Sequence, residues 1–103
     1  MRVFVTGGTG LLGSHLAEEL RSCGQDVVAL NRCGSDAAFL RSQGCILVEG
    51  DVQDDIESLA ELMAGCTHLV HSAAIVYGGK SWPKVRAVNV DGTRNVLMAA
   101  VRA

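Results

Sequence analysis

Four short, almost continuously apolar runs, each followed by a stretch of helical periodicity, constrain this chain more than any other feature. Arg2–Thr6, Asp26–Leu30, Cys45–Glu49 and Thr67–His71 read as strands. Strands apolar at successive positions are covered on both faces, as in parallel sheets. Between the first two, Leu12, Leu16 and Leu20 recur every four residues and predict a helix from Gly10 to Cys23, with Gly24 at its C-terminal stop. Ser35–Gln43 predicts a short helix ended by Gly44. Asp54 followed by Glu57 has the form of a capping box. It opens a helix whose Ile56, Leu59, Ala60 and Met63 share one face and which Gly65 ends. A last helix is predicted from Trp82 almost to Ala103, with Val85, Val88, Gly92, Val96 and Ala99 on its buried line. The order βαβαβαβα with helical crossovers implies a parallel sheet with right-handed connections. The expected class is α/β, the N-terminal part of a doubly wound fold. The fourth strand would then be an uncovered edge, which leads us to expect that residues 1–103 are part of a larger protein and marginally stable alone.

Composition sets outer limits. A chain of 103 residues allows one small domain, and its 49% hydrophobic content provides enough apolar surface to offset ordering entropy. A net charge of −2 argues against nucleic acid or an anionic membrane as a partner. No apolar run approaches the roughly 20 residues that span a bilayer. The N-terminus enters a strand at once, without signal-peptide anatomy, so a cytoplasmic location is expected. Cys23, Cys33, Cys45 and Cys66 form no CxxC pair, and all four are expected to be small packing residues.

Thr6-Gly7-Gly8-Thr9-Gly10-Leu11-Leu12-Gly13 joins the first strand to the first helix. Gly7, Gly10 and Gly13 spell GxxGxxG, while Gly8, Gly10 and Gly13 spell GxGxxG. Such a loop needs glycine for a tight turn, for close approach of backbone to a pyrophosphate, and for close packing of helix on strand. The anion then meets the free N–H groups and dipole of the helix N-terminus. An acid about 20 residues further on would hold a ribose 2′-hydroxyl. The second strand ends instead in Leu30-Asn31-Arg32. Asn31 removes the charge that repels a 2′-phosphate, and Arg32 can pair with one, so NADP(H) is favoured over NAD(H).

TGGTGLLG after an N-terminal strand resembles the extended short-chain dehydrogenase/reductase superfamily, in its NAD(P)-dependent epimerase/dehydratase branch. Gly50-Asp51-Val52, His71-Ser72-Ala73-Ala74 and Asn89-Val90-Asp91-Gly92-Thr93-Arg94-Asn95-Val96 carry the likeness along the chain, and Ala29-Leu30-Asn31-Arg32 with Ser35-Asp36 is similar to dihydroflavonol-reductase-like and sugar-epimerase-like members. The resemblance implies a Rossmann fold. It implies a cofactor site of Gly7, Thr9, Gly10, Leu11, Leu12, Gly13, Asn31, Arg32, Asp51, Val52, Ser72, Ala73 and Ala74. In that site Asp51 would bond the adenine amino group with Val52 beside the ring, although Asp51 also suits capping of its own loop. Asn89 matches the asparagine that supports the lysine of the superfamily's catalytic set; its competing role is to satisfy backbone within the helix. The resemblance further implies a parent enzyme that moves a hydride between nicotinamide and a nucleotide sugar or small carbonyl substrate, with a homodimer as one expected form. A tyrosine with a lysine four residues on would act as acid/base. No YxxxK occurs in the 103 residues, so this piece is expected to be inactive alone, its catalytic part lying elsewhere.

Two other readings stay open. One is a non-catalytic NADP-sensing module of the same fold. The other, more remote, is a P-loop nucleotidase, because Ala74–Ser81 fits a relaxed GxxxxGK[ST]; bulky Ile75, Val76 and Tyr77 suit a phosphate loop poorly. Under the family reading this loop lies near substrate and nicotinamide, within reach of Tyr77 and Lys80, whose competing and favoured role is as exposed loop residues. His68 and His71, three apart on a strand, face opposite sides and cannot share a metal. His71 is expected to make a structural hydrogen bond and His15 to have no special use.

Overall fold

The computed structural model of the chain describes residues 1–75 and 81–103. Strands β1 (Arg2–Thr6), β2 (Asp26–Asn31), β3 (Ile46–Glu49) and β4 (His68–His71) form one parallel sheet in the order β3-β2-β1-β4. Helices α1 (Leu11–Ser22), α2 (Ala38–Ser42), α3 (Ile56–Leu62), α4 (Trp82–Arg86) and α5 (Thr93–Arg102) complete the layers, with a π-helical segment, Ala87–Gly92, between α4 and α5. The chain order therefore runs outward from β1 to β3 and returns to the other side of β1 with β4.

Alternation along the strands supplies both faces of the core. Val3 and Val5 of β1 and Val27 and Ala29 of β2 point to one side, where they meet Ala17 of α1 and Leu40 of α2. Phe4, Val28 and Leu30 point to the other, against Leu59 of α3 and Val96 and Ala99 of α5. Every apolar residue of β1 and β2 is thus buried, which explains their unbroken apolar runs. β4 pairs with β1 alone among the described residues, so it is the sheet edge foreseen from the sequence.

Several local expectations need correction. Leu12 does not share the buried face of α1; it is exposed, and the face is built from Gly13 and Ala17 with Leu16 and Leu20 half-buried. α2 is shorter than Ser35–Gln43, because the Asp36 carboxylate accepts the Ala38 N–H at 3.0 Å in a turn that competes with helix. The cap of α3 is Asp55, not Asp54: its side chain accepts from Ser58 N and Ser58 Oγ. Asp54 Oδ2 serves the loop before it, accepting Asp51 N at 2.9 Å. The last helix is not continuously α. Its π-helical segment carries Asn89 and leads into Thr93, whose polar groups bond to other elements, the setting in which such widened turns occur. Cysteine usage is split: Cys45 is buried and Cys66 half-buried, and burial pushes both thiols up in pKa, whereas Cys23 and Cys33 are exposed and do not pack.

Candidate functional site

The C-terminal ends of the four strands surround a cleft of about 230 Å³. It lies where the strand order reverses, between β1 and β4, which is the place open α/β sheets present to ligands. Ten of the residues expected at a cofactor site line it: Gly7, Thr9 and Gly10 after β1, Asn31 and Arg32 at the end of β2, Asp51 and Val52 after β3, and Ser72, Ala73 and Ala74 after β4. Leu11, Leu12, Gly13 and Asn89 are not in its wall. The side chains of Leu11 and Leu12 are exposed, so only their backbone groups can serve an anion here.

The corner between β1 and α1 decides between the two glycine patterns. Gly7 has φ +71°, and a Cβ there would lie 2.7 Å from Ser72 C and Ala73 N. A Cβ at Gly13 would overlap the Gly7 carbonyl oxygen. At Gly10 it would meet only Gly7 O at 3.4 Å, an ordinary contact. Gly7 therefore makes the turn, Gly13 the close packing, and Gly10 leaves backbone open toward the cleft, so GxxGxxG is the working pattern. Gly8 is buried toward Leu40 instead. Gly10 is the N-cap of α1 without a side-chain cap, and the first turn carries no acid. The free N–H groups of that turn can thus take an anion.

The other walls combine structural and cleft roles. Asp51 Oδ1 accepts Gln53 N at 2.9 Å, so the loop-capping role holds beside its position in the cleft. Val52 is held by Asn95, which donates to its carbonyl at 3.1 Å, and by Gly92, where a Cβ would lie 2.6 Å from Val52 Cγ2. The glycine in this helix, costing about 1 kcal/mol relative to Ala in an exposed helix, is thus needed against the loop after β3 rather than against the sheet. Asn31 Oδ1 is buried without a hydrogen-bond partner among the described residues. Arg32 is exposed and begins a turn closed by Ser35 N to Arg32 O at 3.0 Å. Asn89 spends its amide on the backbone of Ile75, accepting its N–H at 2.7 Å and donating to its carbonyl at 2.8 Å. It does satisfy backbone, but that of the segment after β4 rather than its own helix.

Thr6, Leu30, Ser35, Gly50, Ile75 and Val88 also line the cleft and were not foreseen. Thr6, Leu30 and Gly50 stand directly beside foreseen residues, so strand-end position would have found them. Val88 enters from the last helix, and nothing local marks it. His71 makes the expected structural bonds, to Thr6 Oγ1 at 2.6 Å and Thr93 Oγ1 at 2.9 Å. His68 is exposed and His15 bonds its own helix at Leu11 O. Among the described residues no group of three or more His, Cys, Asp or Glu is placed to hold a metal, and no helix is long and apolar enough to cross a membrane. The P-loop-like stretch and the readings of Tyr77 and Lys80 fall largely outside the described residues.

The sequence profile of the NAD dependent epimerase/dehydratase family matches residues 3–103. The chain belongs to this family. As a family member it is similar to a 4-hydroxy-2-methyl-3-oxo-4-farnesyl-3,4-dihydroquinoline-1-oxide ketoreductase of Stigmatella aurantiaca, with 39% identity over 97% of this chain and 30% of the relative. It is equally similar to a putative dihydroflavonol 4-reductase of Synechocystis, at 39% identity over 97% of this chain and 29% of that one. Its fold matches a UDP-glucose-4-epimerase of Stenotrophomonas maltophila, solved with bound NAD and formylated UDP-arabinopyranose, at TM-score 0.85 and 31% identity over 98% of this chain and 33% of that chain. The family member described here is thus a Rossmann-type α/β unit spanning about 30% of the length of the curated relatives it matches.

Proposed function

We propose that this chain is the dinucleotide-binding portion of an NAD(P)-dependent oxidoreductase, epimerase or dehydratase, acting on a nucleotide sugar or small carbonyl substrate and using NADP(H) in preference to NAD(H). The observation that carries the reading is the Gly7–Gly10–Gly13 corner, a cradle that side chains would fill at Gly7 and Gly13 and that stays open at Gly10. Backbone amides of the first turn of α1 would hold the pyrophosphate, with Asp51 and Val52 toward the adenine and Ser72, Ala73 and Ala74 along the middle of the cofactor. When bound, the nicotinamide supplies a hydride acceptor or donor. The chain's own residues bind and orient it.

Arg32 supports the NADP(H) preference, since it is exposed at the cleft mouth and also borders a groove with Lys84. Two observations favour a second reading, NAD(H). The buried Asn31 Oδ1 is an acceptor that a ribose 2′-hydroxyl would satisfy, and Glu49, Asp51 and Asp54 share a hollow with Arg32. Titration calorimetry of the full-length protein with NADPH, NADH and ATP tests all of this. Tighter binding of NADPH is expected; tighter binding of NADH reverses the preference, and binding of ATP alone would remove the dinucleotide reading.

No YxxxK occurs among the 103 residues, and the relatives are about three times longer, which supports placing the acid/base pair and the substrate pocket elsewhere in the protein. Activity of the 103-residue chain alone in a hydride-transfer assay would overturn that placement. Asn89 is then a supporting residue whose amide is already occupied by Ile75.

A further inference from the structure

A chain of hydrogen bonds crosses the molecule beside the cleft, and its donors and acceptors favour one arrangement of protons. Thr6 is fully buried at the end of β1. Its Oγ1 accepts the backbone N–H of Ser72 at 3.1 Å and of Ala73 at 3.2 Å. A hydroxyl has two lone pairs and one proton, so with both N–H groups accepted its lone pairs are committed and its proton goes to the third neighbour, His71 Nδ1 at 2.6 Å. Nδ1 therefore carries no hydrogen. On the far side of the ring, Thr93 Oγ1 donates to the Asn89 carbonyl at 2.8 Å and is left to accept from His71 Nε2 at 2.9 Å. This arrangement assigns the ring the neutral Nε2–H tautomer, clamped between β1 and α5.

A second proton on this ring has nowhere to go. It would sit on Nδ1 facing a hydroxyl that already receives two donors. One of the three contacts to Thr6 Oγ1 must then give way; Ser72 keeps its Oγ and N–H bonds to the Thr6 carbonyl at 2.6 and 3.3 Å, so the contact at stake is the one that holds the Ala73 N–H. Ser72 and Ala73 line the cleft and stand against Gly7, where even a Cβ would collide with them. A loosened Ala73 backbone is therefore a displaced part of that wall.

We propose that His71 is a positioning residue for cofactor binding: in its neutral form it holds the Ala73 side of the Ser72–Ala73 wall through the Thr6 hydroxyl, and gain of a second proton loosens that side and weakens dinucleotide affinity. This rests on the dinucleotide reading of the cleft. Burial holds the ring below the ordinary histidine value and is the sole cause of that shift. On the packed elements the charged and titratable side chains contribute nothing to it: Arg2 lies at the far end of β1, and His68 on β4, Asp91 before α5, and Arg94 and Arg102 on α5 are exposed. The ring itself is not part of the cleft wall.

The test uses the full-length protein and NAD⁺, because the 2′-phosphate of NADP titrates near pH 6 and would confuse the profile. Affinity is measured by calorimetry from pH 8 downward for the natural protein and for His71→Asn, which keeps an acceptor near Nδ1 but cannot titrate. In parallel, ring-nitrogen NMR of the natural protein reports the tautomer, and the amide resonances of Ser72 and Ala73 report the wall. We expect affinity in the natural protein to fall up to about tenfold per pH unit once the ring titrates, a profile flattened in His71→Asn. The ring should carry its proton on Nε2, and the Ala73 amide should shift with its titration. A shared pH slope in the two proteins, a proton on Nδ1, or an Ala73 amide indifferent to the titration would each overturn the proposal. If neither NAD⁺ nor NADP⁺ binds at any pH, the cofactor reading falls separately, and the NMR arm still decides whether the ring controls the wall.

Discussion

The two ends of the cleft are built on opposite principles. At the β1–α1 corner, Gly7 and Gly13 are hemmed in by backbone, Gly8 is buried, and the ligand-facing groups are main-chain amides. At the turn after β2, Arg32, Cys33 and Gly34 are exposed, nothing lies within 4 Å of a Cβ at Gly34, and the ligand-facing groups are side chains. The corner is suited to a ligand feature that never varies, a pyrophosphate. The turn is suited to the feature that does, the 2′-position, because its side chains can change without disturbing the core. Under the proposed dinucleotide reading, affinity and selectivity are thereby separated in space.

The sharpest way to break this comparison is at Gly13. Gly13→Ala forces a methyl group into the Gly7 carbonyl and should lower the unfolding free energy by about 3–5 kcal/mol, read from denaturant midpoints. A loss below about 1 kcal/mol would mean the corner yields more than its geometry allows. Next comes Gly10→Val. Its Cβ meets only the Gly7 carbonyl oxygen, at an ordinary 3.4 Å, so stability should change by only about 1 kcal/mol, while affinity for NADPH and NADH alike should fall about 100-fold in calorimetry. Retained affinity would move the pyrophosphate out of the corner. Arg32→Ala acts on the other end. NADPH affinity should fall about tenfold to thirtyfold, with NADH within about twofold and stability unchanged. Equal losses for both cofactors would erase the selectivity assigned to the turn.

The smallest effect is a pH dependence of stability at the wall between the two ends. His71 has a folded pKa below its ordinary 6.5, so the unfolded chain takes up the proton first as pH falls. Its contribution is present above pH 6.5 and is lost as pH drops from there toward the folded value. The expected slope is at most about 1.4 kcal/mol per pH unit, and thermal unfolding of His71→Asn should lack this component. An identical slope in both proteins would assign it to other groups.

Much of this was legible residue by residue. The four apolar runs became four parallel strands within about one residue of their expected bounds, and ten of the expected cofactor-site residues line one cleft. The misreadings share a cause. Leu12 fits the every-fourth pattern of Leu16 and Leu20, yet it lies in the first turn of α1 and is exposed there. Asp54 and Asp55 are equivalent as caps until the chain path shows that Asp54 turns back to Asp51 N. Cys23 and Cys33 look like Cys45 in sequence but fall in a helix end and a surface turn.

Element identity and the glycine corner were determined by the order of residues alone, because a strand's two-residue period, a helix's 3.6-residue period and glycine's access to positive φ are local properties. The strand order, the π-helical segment and the His71 bridge were decided only in three dimensions. Each depends on groups far apart in the chain, such as Thr6 and His71, 65 residues apart, that meet when β4 pairs with β1. No local rule says which buried hydroxyl will face which ring; that follows from how the sheet brings its edges and helices together.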